Sequence, residues 1–240
     1  MQKLIAYITL CCLFIVLASF TSLPINDTKT SYSKSEYAIT ATKNASYLYI
    51  ILGLESIGLS KQAFDYAYKG YQYLVRKKMI TDSNYLTICD FSQSSNKKRL
   101  YVIDLASNEV VINTYVAHGR NSGFDYATRF SNKPESLQSS LGFYVTGHTY
   151  TGENGFSLRM QGLERGFNDK AYERAIVIHG AEYIGLKRLH ASSCMGRSFG
   201  CPAVPAGENA ALINTIKNGT CLFIYHPSKN YLKGSKILNG

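Results

Sequence analysis

The sequence predicts a mainly β domain of the α+β class, built on a β-sandwich or mixed sheet, with a small helical hairpin in front of it. Three observations predict this. Apolar residues recur at helical spacing between Tyr47 and Met79. Short β-branched and aromatic runs, separated by turn residues, begin at Leu86. Only one further helical stretch follows, near the end. With 240 residues, 45% of them hydrophobic, the chain can fill one sizeable core and carry a short helical element.

The N-terminus comes first. Lys3 precedes an uncharged stretch from Leu4 to Asn26, with its apolar heart at Leu4 to Leu17 and small polar residues (Ala18, Ser19, Thr21, Ser22) behind it. This is the shape of a secretory signal. An uncleaved anchor is the alternative, although the run is slightly short for a bilayer span. Cys11 and Cys12 lie inside the apolar run, which argues against a lipoprotein. Both routes lead to export, to a periplasm or cell envelope. The organisation expected is a signal or anchor at 1–22, a linker at 23–45 rich in Ser, Thr, Lys and Asn, a helical hairpin at 46–80 and a folded domain at 85–240.

In the hairpin, Tyr47, Leu48, Ile50, Ile51, Leu54 and Ile57 form one stripe, and Gly58 stops the helix. Ser60 caps a second helix with Phe64, Ala67, Tyr68, Tyr71, Leu74 and Val75 on one face. Strands are expected at 86–89, 99–105, 109–116, 142–146, 157–161, 175–178 and 220–225. A short helix is expected from Gly207 to Lys217, ended by Gly219.

The formal net charge is +10, with Lys and Arg scattered rather than in a block. An exported basic protein is drawn to anionic polymers and surfaces. Export and the lack of a recognition motif argue against nucleic acid. Beyond the first segment stand Cys89, Cys194, Cys201 and Cys221. An oxidising compartment permits disulfides, and a Cys194–Cys201 bridge is one alternative for these thiols. No pair has CxxC spacing and no His or carboxylate spacing suggests a metal, so neither metal nor cofactor is expected.

Two short segments carry chemistry. His179 closes the apolar run Ala175-Ile176-Val177-Ile178 and is followed by Gly180. Cys201 sits about twenty residues later in Ser198-Phe199-Gly200-Cys201-Pro202. A cysteine acts as a nucleophile when a base takes its proton and backbone amides hold the oxyanion. A strand fixes the His179 backbone, and the Gly180 carbonyl can accept Nδ1–H, leaving Nε2 for the thiol. Gly200 permits a tight turn, so the Gly200 and Cys201 amides can point at one oxygen. His148 and Tyr150 flank a glycine-rich loop (Gly152 to Gly155) that can line a pocket. Arg197 and Arg159 are candidates for a substrate carboxylate. His118 and His190 read as loop residues, and His226, before Pro227, as structural.

These segments resemble the L,D-transpeptidase catalytic domain, in its murein transpeptidase branch with a Gly-Cys-Pro motif. The resemblance covers about residues 85–227 and rests on Ser-Leu-Gly-Phe-Tyr-Val-Thr-Gly (140–147), Tyr150 to Arg159, Ile176-Val-Ile-His-Gly-Ala181 and Gly196 to Val204. It implies a thioester on Cys201, with His179 as base and Gly180 orienting it. It also implies an oxyanion turn at Gly200 and Cys201, with the Ser198 hydroxyl beside the nucleophile as a substrate contact. The implied partners are peptidoglycan stem peptides, and carbapenem inhibitors are expected to acylate the cysteine. Phe199 stands where the commoner branch has histidine, and Pro202-Ala203-Val204 follows the nucleophile. An L,D-carboxypeptidase using the same acyl-enzyme, or a non-catalytic wall-binding protein, are the alternatives.

Overall fold

A computed structural model describes residues 45–191 and 194–240. The expected signal or anchor and nearly all of the linker lie outside the described residues. Residues 45–51 form helix α1, and Lys61–Arg76 forms α2. The Ser60 hydroxyl accepts from Ala63 N–H and caps α2, whose Ala63, Phe64, Ala67, Gly70 and Leu74 are buried at helical spacing. That face packs on the sheet and on the last helix of the chain. Gly70 sets how close it comes. A methyl group there would stand 1.9 Å from Phe143 Cζ, so only glycine lets the Phe143 ring seat against the helix.

Eight strands follow: β1 (Tyr85–Asp90), β2 (Leu100–Asp104), β3 (Glu109–Thr114), β4 (Gly142–Gly152), β5 (Gly155–Gly162), β6 (Val177–Ala181), β7 (Ala203–Pro205) and β8 (Cys221–Tyr225). They make one mixed sheet in the order β3-β2-β1-β8-β4-β5-β6-β7. The β1–β8 and β6–β7 pairs are parallel and the others antiparallel. The expected mixed sheet is therefore a single, nearly closed one. Its two ends approach each other: Ala117, just past β3, bridges to Ala203 in β7, and Gly119 bridges to Ser198. Four helices complete the fold: α3 (Leu186–Ala191), α4 (Ala206–Ile216), α5 (Lys229–Gly234) and α6 (Lys236–Asn239). The C-terminal pair is tied down by buried Glu164, whose carboxylate accepts from Phe143 N–H, Tyr231 Oη and Ser235 Oγ.

Several boundaries depart from the expectations. The hairpin β4–β5 runs through the glycine-rich loop, so His148 and Tyr150 lie on a strand. Cross-strand pairing down to Gly152↔Gly155 shortens the expected loop to a two-residue turn at Glu153 and Asn154. Ala175 has φ +52°, which breaks the extended run, so β6 starts at Val177 and continues through His179. The histidine thus sits within the strand rather than past its end. Strand β7 and helices α3, α5 and α6 were not foreseen; each is six residues or fewer and too short to show a period. None of Cys89, Cys194, Cys201 and Cys221 is in a disulfide, so the Cys194–Cys201 bridge is not formed.

The segment that joins the sheet ends is held from behind by a buried Arg99. Its Nε and Nη2 donate to the Val116 carbonyl, Nη1 donates to the Gln93 carbonyl, and Nη2 also donates to His118 Nδ1 at 2.8 Å. The guanidinium lies 4.8 Å from the Phe91 ring centre. His118 is fully buried, and burial, with the Arg99 charge second, lowers its pKa to about 4. An unfolded imidazole titrates near ~6.5. Between these values the unfolded chain takes up a proton that the folded one refuses, so stability falls as pH drops. The loss from this residue reaches on the order of 3 kcal/mol near pH 4. His226, also lowered by burial, acts in the same direction. Urea midpoints measured from pH 7 to pH 4 are expected to decline. His118→Asn, whose amide oxygen accepts the Arg99 bond without titrating, should flatten that decline.

Candidate active site

The turn that carries Cys201 is clamped on three sides. Towards the sheet closure, Ser198 N–H donates to the His118 carbonyl (3.1 Å), Arg120 N–H to the Ser198 carbonyl (2.7 Å) and Ala117 N–H to the Ala203 carbonyl (2.8 Å). Behind it, Ser139 Oγ donates to the Gly200 carbonyl at 3.2 Å. Inside the turn, the Ser198 hydroxyl donates to the Cys201 carbonyl (2.6 Å) and accepts from Gly200 N–H (3.1 Å). Gly200 has φ +126°, and a Cβ there would stand 2.9 Å from the Gln138 carbonyl oxygen. Glycine is required by backbone angle and by space alike.

On the third side is β6. His179 is opposite Ala203 across the parallel β6–β7 pair and opposite Ser157 on β5. Its ring is buried, and Nδ1 lies 2.9 Å from the Gly180 carbonyl oxygen. A carbonyl can only accept, so Nδ1 carries the proton and Nε2 presents a lone pair. Gly180 leaves room for α4: a Cβ would lie 3.0 Å from Asn209 Cβ and 3.1 Å from Ala206 Cα. The Cys201 sulfur accepts from Val177 N–H at 3.4 Å, and the thiol faces the Ala175 carbonyl at 3.8 Å. Burial pushes the thiol pKa up; the Val177 amide and the Arg174 charge pull the other way. At rest the sulfur is a neutral thiol lying beside the strand of His179, with backbone groups as its hydrogen-bond partners.

A family model, the L,D-transpeptidase catalytic domain, matches residues 55–225, well over half of the chain. The chain belongs to that family. Among solved structures it is similar to an L,D-transpeptidase from Mycobacterium smegmatis (12% identity, TM-score 0.36, covering 60% of this chain and 59% of that one). It is also similar to the L,D-transpeptidase LdtMt1 in complex with imipenem (10%, 0.36, 59% and 59%). A third is an L,D-transpeptidase from Xylanimonas cellulosilytica (15%, 0.34, 59% and 60%). The chain thus spans about three-fifths of the length of these proteins, and the family match carries the assignment. No curated protein matches the chain.

Within this L,D-transpeptidase domain the expected site residues divide into two groups. Tyr150, Ser157, His179 and Ala203 form one row across four strands, and Arg159 stands opposite Val177 on the same face. The Arg159 guanidinium lies 4.3 Å from the Tyr150 ring centre and 5.5 Å from that of Tyr172. The other expected residues stand outside this row. The Ser198 hydroxyl is bonded inside the turn, where it staples Gly200 N–H to the Cys201 carbonyl. The Gly200 amide is likewise occupied, so of the two expected oxyanion donors Cys201 N–H is the one with no partner among the described residues. Arg197 Nη1 donates to the Arg120 and Gly123 carbonyls and its guanidinium lies over Phe124, so it braces a loop. His148 is exposed where the β4–β5 register slips, outside the row. Among the described residues no cluster of His, Cys, Asp or Glu is arranged to hold a metal.

Arg174, Ser139 and Tyr183 were missed. Arg174 and Ser139 pack against the Cys201 turn, and Tyr183 has its phenol pKa raised by burial and by Cys201. The available signals were a charged residue directly before an apolar strand and the serine-rich run Ser136 to Ser140. Ser198→Ala would leave a buried N–H and a carbonyl unpaired. It is expected to cost about 1–3 kcal/mol in denaturant unfolding, with Cys201 still in place.

Proposed function

We propose that this chain is an exported L,D-transpeptidase, a cysteine acyltransferase acting on peptidoglycan stem peptides. The observation that carries the reading is the His179 ring, its tautomer locked by the Gly180 carbonyl, on the strand adjoining a glycine turn that holds Cys201. Family membership supports the same chemistry.

In this reading the thiol swings about its Cα–Cβ bond from the long Ala175 contact towards Nε2. His179 takes the proton, and the thiolate attacks the carbonyl carbon of an L-residue in the stem. Cys201 N–H receives the developing oxyanion. The tetrahedral adduct collapses: the C–N bond breaks, the D-amino acid leaves with the proton from His179, and a thioester remains. An acceptor amine then attacks the thioester and gives its proton to His179. The sulfur departs and is reprotonated. Arg159, held between Tyr150 and Tyr172 and without a carboxylate partner among the described residues, is suited to a stem carboxylate on the sheet face of His179. Phe199 is 67% exposed beside the nucleophile and offers an apolar surface to the substrate.

Incubation with a carbapenem is expected to add one drug mass to the protein, read by intact-mass spectrometry. Cys201→Ala should abolish the adduct without moving the unfolding midpoint. His179→Ala should slow acylation by about 10²–10⁴-fold. An unmodified wild-type protein would overturn the nucleophile assignment. With muropeptides, loss of a terminal D-amino acid together with dimers is expected; tripeptide without dimers would assign hydrolysis instead.

Arg159→Met should raise KM for a tetrapeptide donor about tenfold while leaving alkylation of Cys201 unchanged. Equal KM values would remove Arg159 from the binding site. Export is checked by N-terminal sequencing of the protein recovered from the cell envelope.

A further inference from the structure

Arg174 lies five residues before His179 and was not among the expected site residues. Its guanidinium engages the loop behind the nucleophile turn. Nη1 donates to the Ser131 carbonyl (2.8 Å) and to Ser140 Oγ, and Nη2 donates to Ser136 Oγ (3.2 Å) and the Gln138 carbonyl (2.7 Å). All four acceptors are neutral. Among the described residues the one ion pair is Lys61–Asp65, far along the chain, so no carboxylate balances this charge. The guanidinium is half-buried and reaches the turn itself: Nη2 is 3.4 Å from the place a Cβ on Gly200 would occupy. The same loop donates Ser139 Oγ to the Gly200 carbonyl. A positive charge is thus fixed against the peptide unit that carries Cys201.

Keeping an unbalanced guanidinium partly out of water is costly unless an anion forms near it. The thiol of Cys201 is the neighbouring group that becomes anionic during the reaction proposed above. We propose that Arg174 is a positioning residue that supplies the counter-charge to the Cys201 thiolate while its fork fixes the loop 131–140 against the turn. The inference rests on Cys201 being the nucleophile. At rest the thiol is neutral and the charge is unanswered. Once the proton moves to His179, the guanidinium faces a thiolate, so the interaction is stronger in the reacting state than in the resting one. Lysine in this place would keep the charge but lose the fork.

The test is the pH profile of iodoacetamide alkylation at Cys201, followed by peptide mass; Cys89, Cys194 and Cys221 are buried. Arg174→Gln is expected to move the apparent thiol pKa up by about one unit, lowering the alkylation rate about tenfold at a fixed pH below it. Arg174→Lys should restore most of the rate. The pair Ser136→Ala and Ser140→Ala, which loosens the fork but keeps the charge, should leave the pKa near that of wild type. A folded Arg174→Gln with a profile within about 0.3 unit of wild type overturns the proposal.

If Arg174→Gln does not fold, the ratio of iodoacetate to iodoacetamide rates decides, measured in an Arg159→Met background with Arg174 intact. A ratio above that of free glutathione supports a positive field at the sulfur, and a ratio at or below it overturns the proposal. Alkylation needs no peptidoglycan. A protein that shows the pKa shift but no carbapenem adduct keeps the electrostatic role of Arg174 and loses the transpeptidase reading. An adduct without the shift does the reverse.

Discussion

The structure depends on the closure of its sheet by a few backbone hydrogen bonds between residues 117–120 and 198–203. These segments adjoin β3 and β7, the opposite ends of the sheet order. Their contact brings the Cys201 turn against β6, where His179 already stands in register with Ala203. Arg99 makes the closure rigid from within. Its buried guanidinium bonds Val116 and His118 on the segment to be held and Gln93 in the connection between β1 and β2, and so ties the two together.

Much of this organisation is legible in the sequence. Long amphipathic stretches such as α2 declare themselves by period, and apolar β runs such as 86–89 and 221–225 by β-branched and aromatic content. The His179 tautomer lock was readable because a glycine carbonyl follows directly. What could not be read depends on contacts between distant residues. Ser198 looked like a substrate ligand because its spacing to Cys201 says nothing of where the hydroxyl points. Arg174 carries no local pattern at all; its partners lie 34 to 43 residues away in sequence. The boundary of β6 was misplaced because a positive φ at Ala175 is a tertiary demand that propensity does not contain.

The resting arrangement separates storage from use. Cys201 is kept as a neutral thiol by burial, against the pull of the Val177 amide. This limits stray oxidation of the sulfur, which follows thiolate character and exposure. In the mechanism proposed above, the cost of forming the ion pair falls on the reaction step, where an adjacent fixed charge and an unused amide act.

The sheet closure has one more consequence. Strand β7 is three residues long, ends in proline, and is capped on its outer side by Ala117. Among the described residues, no continuous run of unpaired strand backbone therefore borders Cys201 on the β7 side. A peptide cannot be captured there by adding itself as another strand. Recognition must come from side chains and single amides instead. In the function proposed above, that suits a stem peptide of mixed chirality, because alternating L- and D-centres cannot keep a regular ladder in register.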